Sequence, residues 1–149
     1  YKSSRKVIHM LTDIISKNGN LLLNVGPGPD GEWDTLAYNR LEAIGKWMKI
    51  NGEAVYESEA DPNLPRQGKW AFTRKGTDVY AIYQVAENEM IENSLSVNLP
   101  AGVKVKSVSV IGGPQKVKFT QNGGQVVLFT TDKSIVKQTE ALVFKLVTN

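Results

Sequence analysis

Residues 19–33 read GNLLLNVGPGPDGEW, an apolar run that passes into a loop of glycines and prolines. Gly26-x-Gly28-x-x-Gly31 has the spelling of a dinucleotide-binding loop. Such a loop works by aiming free backbone N–H groups and a helix N-terminus at a pyrophosphate. Here Pro27 and Pro29 fill the intervening positions, and proline has no N–H to donate. Asp30, Glu32 and Asp34 add negative charge where a phosphate would approach. The nearest acidic candidate for a ribose contact, Glu53, follows a helical pattern and not a second strand. Dinucleotide binding is therefore set aside, and the stretch reads as a rigid loop after a strand.

Leu21, Leu22, Leu23 and Val25 form a continuous apolar run, which suits a strand buried on both faces of a parallel sheet. Such a strand needs sheet neighbours, because its backbone groups require partners away from water. The residues before it offer only a helix. In SSRKVIHMLTDIISKNGN, residues 3–20, Val7, Ile8, Met10, Leu11, Ile14 and Ile15 keep the spacing of one helix face. Ser3 or Ser4 caps its start, and Asn18-Gly19 supplies a left-handed stop. After the loop, Asp34 or Thr35 caps a second helix whose buried side carries Leu36, Leu41, Ile44, Trp47 and Met48. Asn51-Gly52 ends it. Helix, buried strand and helix together imply that residues 1 to about 58 are the tail of a larger α/β domain whose front lies outside this chain.

From residue 61 onward the hydrophobic period changes to two. KWAFTR, DVYAIYQV, SLSVNLP, VKVKSVSVI, KVKFTQ, QVVLFTT and ALVFKLV read as seven short strands. Asn122-Gly123-Gly124 marks a hairpin between two of them. Seven strands in some eighty residues describe an antiparallel β-sandwich. The boundary is placed near Asp61, giving segments 1–60 and 61–149.

The 149 residues are 41% hydrophobic and 22% charged, the balance of a globular chain. There is no cysteine, which rules out disulfides, thiolate metal sites and cysteine nucleophiles. No apolar run is long enough to cross a bilayer as a helix. The formal net charge of +3 is uneven: residues 1–60 carry 7 basic against 8 acidic side chains, and residues 61–149 carry 11 against 7. Lys104, Lys106, Lys116 and Lys118 alternate with apolar residues, as a solvated strand face would. Nucleic acid is not expected as a partner, since its footprint needs clustered basic residues with aromatics interleaved. The single histidine, His9, has no second histidine with which to hold a metal.

The pair ISKNGNLLLNVGPGPDGEW and LEAIGKWMKINGEAVYES resembles the end of the catalytic barrel in α-L-fucosidases, glycoside hydrolase family 29. The resemblance rests on Gly19, Asn20, Leu21–Leu23, Asn24, Gly26, Pro27, Asp30, Gly31, Gly45, Trp47, Asn51, Gly52, Glu53 and Tyr56. Trp33 departs from it, since the family more often carries an aliphatic residue there. The resemblance implies an α+β fragment: the last helix-strand-helix of a (β/α)8-like barrel, followed by an antiparallel β-sandwich. It implies a retaining exo-glycosidase that releases terminal α-L-fucose, with two carboxyl groups about 5 Å apart. In that family the aspartate nucleophile, the glutamate acid/base and the fucose-contacting histidines lie upstream in the barrel. Their motifs do not occur here, so no catalytic residue is assigned and the chain alone is expected to be inactive.

Asn24 at the strand end and Trp33 in the loop are the substrate-proximal candidates. Asp30, Glu32 and Asp34 read as turn and capping residues. Gly45 is expected to permit close packing, and Glu53 to pin the crossover backbone. No cofactor or metal is expected. The expected partners are a fucosylated oligosaccharide or glycoconjugate and the N-terminal barrel of the same protein, with no membrane. Secreted, periplasmic or lysosomal localisation follows from the family alone. A carbohydrate-binding β-sandwich module is the alternative, and it would need a flat row of exposed aromatics among Trp70, Phe72, Tyr80, Tyr83, Phe119, Phe129 and Phe144.

Overall fold

A computed structural model describes residues 1–149. Helix α1 spans Ser4–Ile15 and α2 spans Thr35–Asn51, and a 3-10 turn at Gly52–Ala54 continues α2. Seven strands follow: β1 Trp70–Lys75, β2 Asp78–Gln84, β3 Ser94–Asn98, β4 Val105–Val110, β5 Phe119–Asn122, β6 Gln125–Phe129 and β7 Ala141–Thr148. They pair antiparallel in two sheets, ordered β1-β2-β7-β4 and β3-β6-β5. All seven strands fall where the period-two segments lie. The β5–β6 hairpin turns through Gly123-Gly124, with Asn122 opposite Gln125 and Gly123 at φ 60°. No helix is long and apolar enough to cross a membrane.

The four-stranded sheet is the middle of three layers. On β2, Val79, Ala81 and Tyr83 face the three-stranded sheet, while Tyr80 and Ile82 face the helices. On β7, Leu142, Phe144 and Leu146 point one way, and Ala141 and Val143 the other. Both strands are therefore apolar at nearly every position, as strands covered on both faces must be. Ile8 of α1, Trp47 of α2 and Ala54 complete the helical side. Burying a side chain such as Ile8 contributes about 1.5–3 kcal/mol.

Hydrogen bonds then fix the helices on the sheet. Trp47 Nε1 donates to the Ala141 carbonyl at 3.1 Å, and Thr73 Oγ1 donates to the Ala54 carbonyl at 2.7 Å. Gln84 Nε2 donates to the His9 carbonyl and to Thr12 Oγ1. His9 Nε2 lies 2.8 Å from the Glu140 carbonyl. Burial holds the His9 pKa below its ordinary value, so the ring sits neutral at this junction.

The helix ends follow the sequence reading, with sharper assignments. Ser3 Oγ accepts from Lys6 N and Asp34 Oδ1 accepts from Ala37 N, so Ser3 and Asp34 are the N-caps. Asn18, at φ 59°, takes the left-handed conformation after α1. Glu53 accepts from side chains and not from backbone: Tyr80 Oη at 2.8 Å and Lys145 Nζ at 2.5 Å. Gly45 is exposed, and a Cβ there would meet nothing within 4 Å, so close packing within this chain does not explain it.

The largest departure is Leu21–Val25. These residues form no strand and pair with nothing. Leu22 is 84% exposed and Leu23 40%. A strand exists through its partners' N–H and C=O groups, and all seven strands of this chain belong to the two sheets on the far side of the helices. The helix-strand-helix expectation is thus met in its helices and not in its strand.

Candidate functional site

The loop of residues 19–34 uses its own backbone donors. Gly28 N–H donates to the Glu32 carbonyl at 2.7 Å, and Gly31 N–H to the Gly28 carbonyl at 3.0 Å. Glu32 N–H donates to Asp30 Oδ1 at 3.1 Å. Gly31 sits at φ +83°, and a Cβ on Gly28 would lie 3.0 Å from Asp30 Oδ1 and 3.2 Å from the Glu32 carbonyl oxygen. Gly31 is therefore required by the turn, and a side chain at Gly28 would crowd it. The α2 N-terminus is occupied by the Asp34 carboxylate. Three of the loop's N–H groups are thus taken and the helix end is filled, which disfavours a phosphate, in agreement with the sequence argument.

Each loop carboxylate is engaged in holding the turn. Asp30 accepts from Glu32 N–H, Asp34 caps α2, and Glu32 Oε2 accepts from Tyr38 Oη at 3.2 Å. The Asp34 carboxylate also holds the Tyr1 hydroxyl above its usual pKa, chiefly through a hydrogen bond. Such an arrangement orders a loop and presents no paired carboxyls for acid–base work.

Asn24 and Trp33 are not brought together. Asn24, with Leu23 and Val25, borders a half-open cavity of about 170 Å³ that Val7, Ala37 and Arg40, among others, also line. Trp33 lies outside it, 40% exposed, with its ring tilted 54° against Tyr38 at 5.7 Å between centroids. Tyr38 and Arg40 escaped the sequence reading. Arg40 Nε is buried without a hydrogen-bond partner, a donor beside the Asn24 amide's cavity. Its signal was readable: Ala37, Arg40, Leu41 and Ile44 keep one helix stripe, and arginine in an apolar stripe marks a polar demand. Chemically, the cavity sets the polar side chains of Asn24 and Arg40 against an apolar wall, which suits a hydroxyl-bearing ligand or a neighbouring polar loop.

The aromatics of the sandwich do not form a surface row. Trp70, Phe72, Tyr80, Tyr83 and Phe144 are buried, and Trp70 packs on Phe72, Tyr83 and Phe144 within 6.5 Å between ring centroids. Only Phe129 is exposed, and Phe119 is half-buried. The flat-platform form of a carbohydrate-binding module is overturned.

Known proteins bear on this loop directly. A family model described as Alpha-L-fucosidase matches residues 1–53. Tissue α-L-fucosidase of Rattus norvegicus is 33% identical over 128 residues, 84% of this chain and 27% of that protein. The human tissue α-L-fucosidase is 40% identical over 85 residues, 52% of this chain and 17% of that protein. The crystal structure of Thermotoga maritima α-fucosidase with a mechanism-based inhibitor superposes with a TM-score of 0.79 at 26% identity. It covers 98% of this chain and 34% of that one. The chain is thus similar to glycoside hydrolases, in family sequence over residues 1–53 and in fold over nearly all of its helix-backed β-sandwich. Within that class, the chain is a relative of the α-L-fucosidases of glycoside hydrolase family 29, as the two motifs indicated. It spans about a quarter of the length of the curated relatives it matches over most of its own length.

Proposed function

We propose that this chain is the C-terminal part of a retaining α-L-fucosidase that removes terminal α-L-fucose from fucosylated oligosaccharides or glycoconjugates. In this reading residues 1–60 close a (β/α)8-like catalytic barrel, and residues 61–149 form the sandwich that buttresses it. Leu21–Val25 supply the last barrel strand, and the following loop lies at the mouth where barrel enzymes bind substrate. Asn24 and Trp33 then stand near the sugar, with Arg40 bordering the same cavity as Asn24.

One observation carries the reading: an exposed, unpaired apolar ribbon at residues 21–25 lies inside the segment matched by the fucosidase family. Exposed leucines with unpaired backbone fit a strand that is completed by neighbours from a longer protein. The nucleophile and acid/base would come from those neighbours, so the 149 residues alone lack turnover. The mechanism-based inhibitor held by the Thermotoga maritima enzyme fits a covalent, retaining route in that relative. A secreted, periplasmic or lysosomal address accords with glycan breakdown.

The test is hydrolysis of an aryl α-L-fucoside by the 149 residues and by the longer encoded protein. The longer protein is expected to release fucose with retained anomeric configuration, and the 149 residues none. Turnover by the short chain would overturn its inactivity. A longer protein that leaves the fucoside intact would overturn the assignment.

A further inference from the structure

Residues 93–131 contain four lysines, Lys104, Lys106, Lys116 and Lys118, and no acidic residue. None of the four enters an ion pair. Three of them, Lys106, Lys116 and Lys118, border one open groove of about 660 Å³ on the sandwich. No Asp or Glu borders it. Its apolar wall is made by Val108, Val117, Phe119 and Phe129, with Phe129 38% exposed.

The fold builds this groove deliberately at the edge where the two sheets part. β4 ends one sheet and β5 ends the other. The connecting residues are clipped to both: Val117 N–H donates to the Val108 carbonyl at 2.8 Å, and Phe129 N–H to the Lys118 carbonyl at 3.0 Å. Lys106 is the extra residue of a β-bulge, since Val105 lies opposite Thr148 and Ser107 opposite Val147. In a regular strand Lys106 would share the face of Val108 and Val110, which is core. The bulge turns its ammonium outward instead, a common use of bulges at sheet edges.

We propose that this groove binds an anionic polysaccharide chain. Its acidic groups pair with Lys106, Lys116 and Lys118, and the C–H face of a sugar ring seats on Phe129. Uncompensated lysines call for an anion, and an exposed ring beside them calls for an apolar face on that same ligand. A β-strand of an acidic peptide is disfavoured, because the β4 edge is already used: Val110 N–H donates to the Pro114 carbonyl, and Val117 takes the Val108 carbonyl. Nucleic acid is disfavoured by a single exposed ring and by the absence of arginine in the groove. The site lies wholly within the sandwich, so it stands or falls separately from fucose hydrolysis.

The full 149-residue chain is titrated with a dextran sulfate oligomer, with uncharged dextran and with polyglutamate of matched length, following amide chemical shifts. Saturable binding of dextran sulfate is expected, with shifts centred on residues 105–108, 116–120 and 129, and none with dextran. Combining Lys106→Gln, Lys116→Gln and Lys118→Gln should weaken it by about tenfold or more. Phe129→Ala should weaken it as well, and rising salt should weaken it progressively. Combining Lys2→Gln, Lys46→Gln and Lys49→Gln, which removes equal charge elsewhere, should leave the affinity unchanged. All these side chains are exposed, so folding is checked simply by circular dichroism. Absence of saturable binding, polyglutamate binding as tightly as the sulfated glycan, or equal losses in the two lysine variants would each overturn the proposal.

Discussion

Trp47 shows how much of the helical layer hangs on single side chains. Its ring fills the space between α2 and the sheet, and its indole N–H satisfies the Ala141 carbonyl on β7. Trp47→Phe keeps most of the apolar area and leaves that carbonyl unpaired, so unfolding in urea should reveal a loss of about 1–3 kcal/mol. Glu53 is a second such residue. Its carboxyl is held below its ordinary 4.5, first by the Lys145 ammonium and then by the Tyr80 hydroxyl. Lys145 is in turn held above its ordinary 10.5 by Glu53. A depressed carboxyl contributes stability that is complete above pH 4.5 and lost as pH falls through its folded value. A raised ammonium contributes below pH 10.5 and loses that share as pH rises. Glu53→Gln should therefore cost stability throughout the window between the two. The side chain is half open to water, so screening limits the cost to about 0.5–1 kcal/mol. Measured at pH 3, the difference from the parent chain should shrink. Tyr80 offers an optical check, because burial and then the Glu53 carboxylate raise its pKa from 10.0 to about 12. Loss of Glu53 should lower its absorbance titration.

At the scale of elements, β4 explains both what the sequence disclosed and what it hid. Apolar residues alternate from Val103 to Val105 and again from Val108 to Val110, but the two runs are out of phase. A regular strand cannot bury both, since side chains alternate faces at period two. The bulge at Lys106 restores the phase, so Val103 and Val105 pack on the same core as Val108 and Val110. Deleting Lys106 and Ser107 together leaves Val105 next to Val108, so a regular strand turns the first pair outward, which should destabilise the chain by about 1–3 kcal/mol. Lys106→Ala, which keeps the bulge, should stay within about 0.5 kcal/mol of the parent. Chemical denaturation of the two variants separates register from side chain. The strands themselves were legible because alternation and the Asn122-Gly123-Gly124 turn are local signals. Leu21–Val25 carried an equally clear apolar signal and still form no strand, because pairing depends on partners, which no run of five residues encodes.

For the whole molecule, the decisive feature is that one sheet is covered twice. At period two, DVYAIYQV and ALVFKLV read as strands with one buried face, whereas β2 and β7 are buried on both. Which surface covers the second face is settled by Ile8, Trp47 and Ala54, far away along the chain. The candidate site was legible in its loop chemistry, through Pro27, Pro29 and the capping Asp34, and not in its cavity. That cavity required α2 to set Arg40 beside Asn24. The same helices that back the sandwich also flank the exposed ribbon of residues 21–25. The central proposal is that this ribbon becomes an interior barrel strand in a longer protein.

Amide hydrogen exchange at Leu21, Leu22, Leu23 and Val25, compared between the 149 residues and the longer encoded protein, tests that claim most directly. The prediction is fast exchange in the short chain and protection slower by orders of magnitude in the longer one, comparable to β2 and β7. Fast exchange at these four amides in both proteins would contradict it.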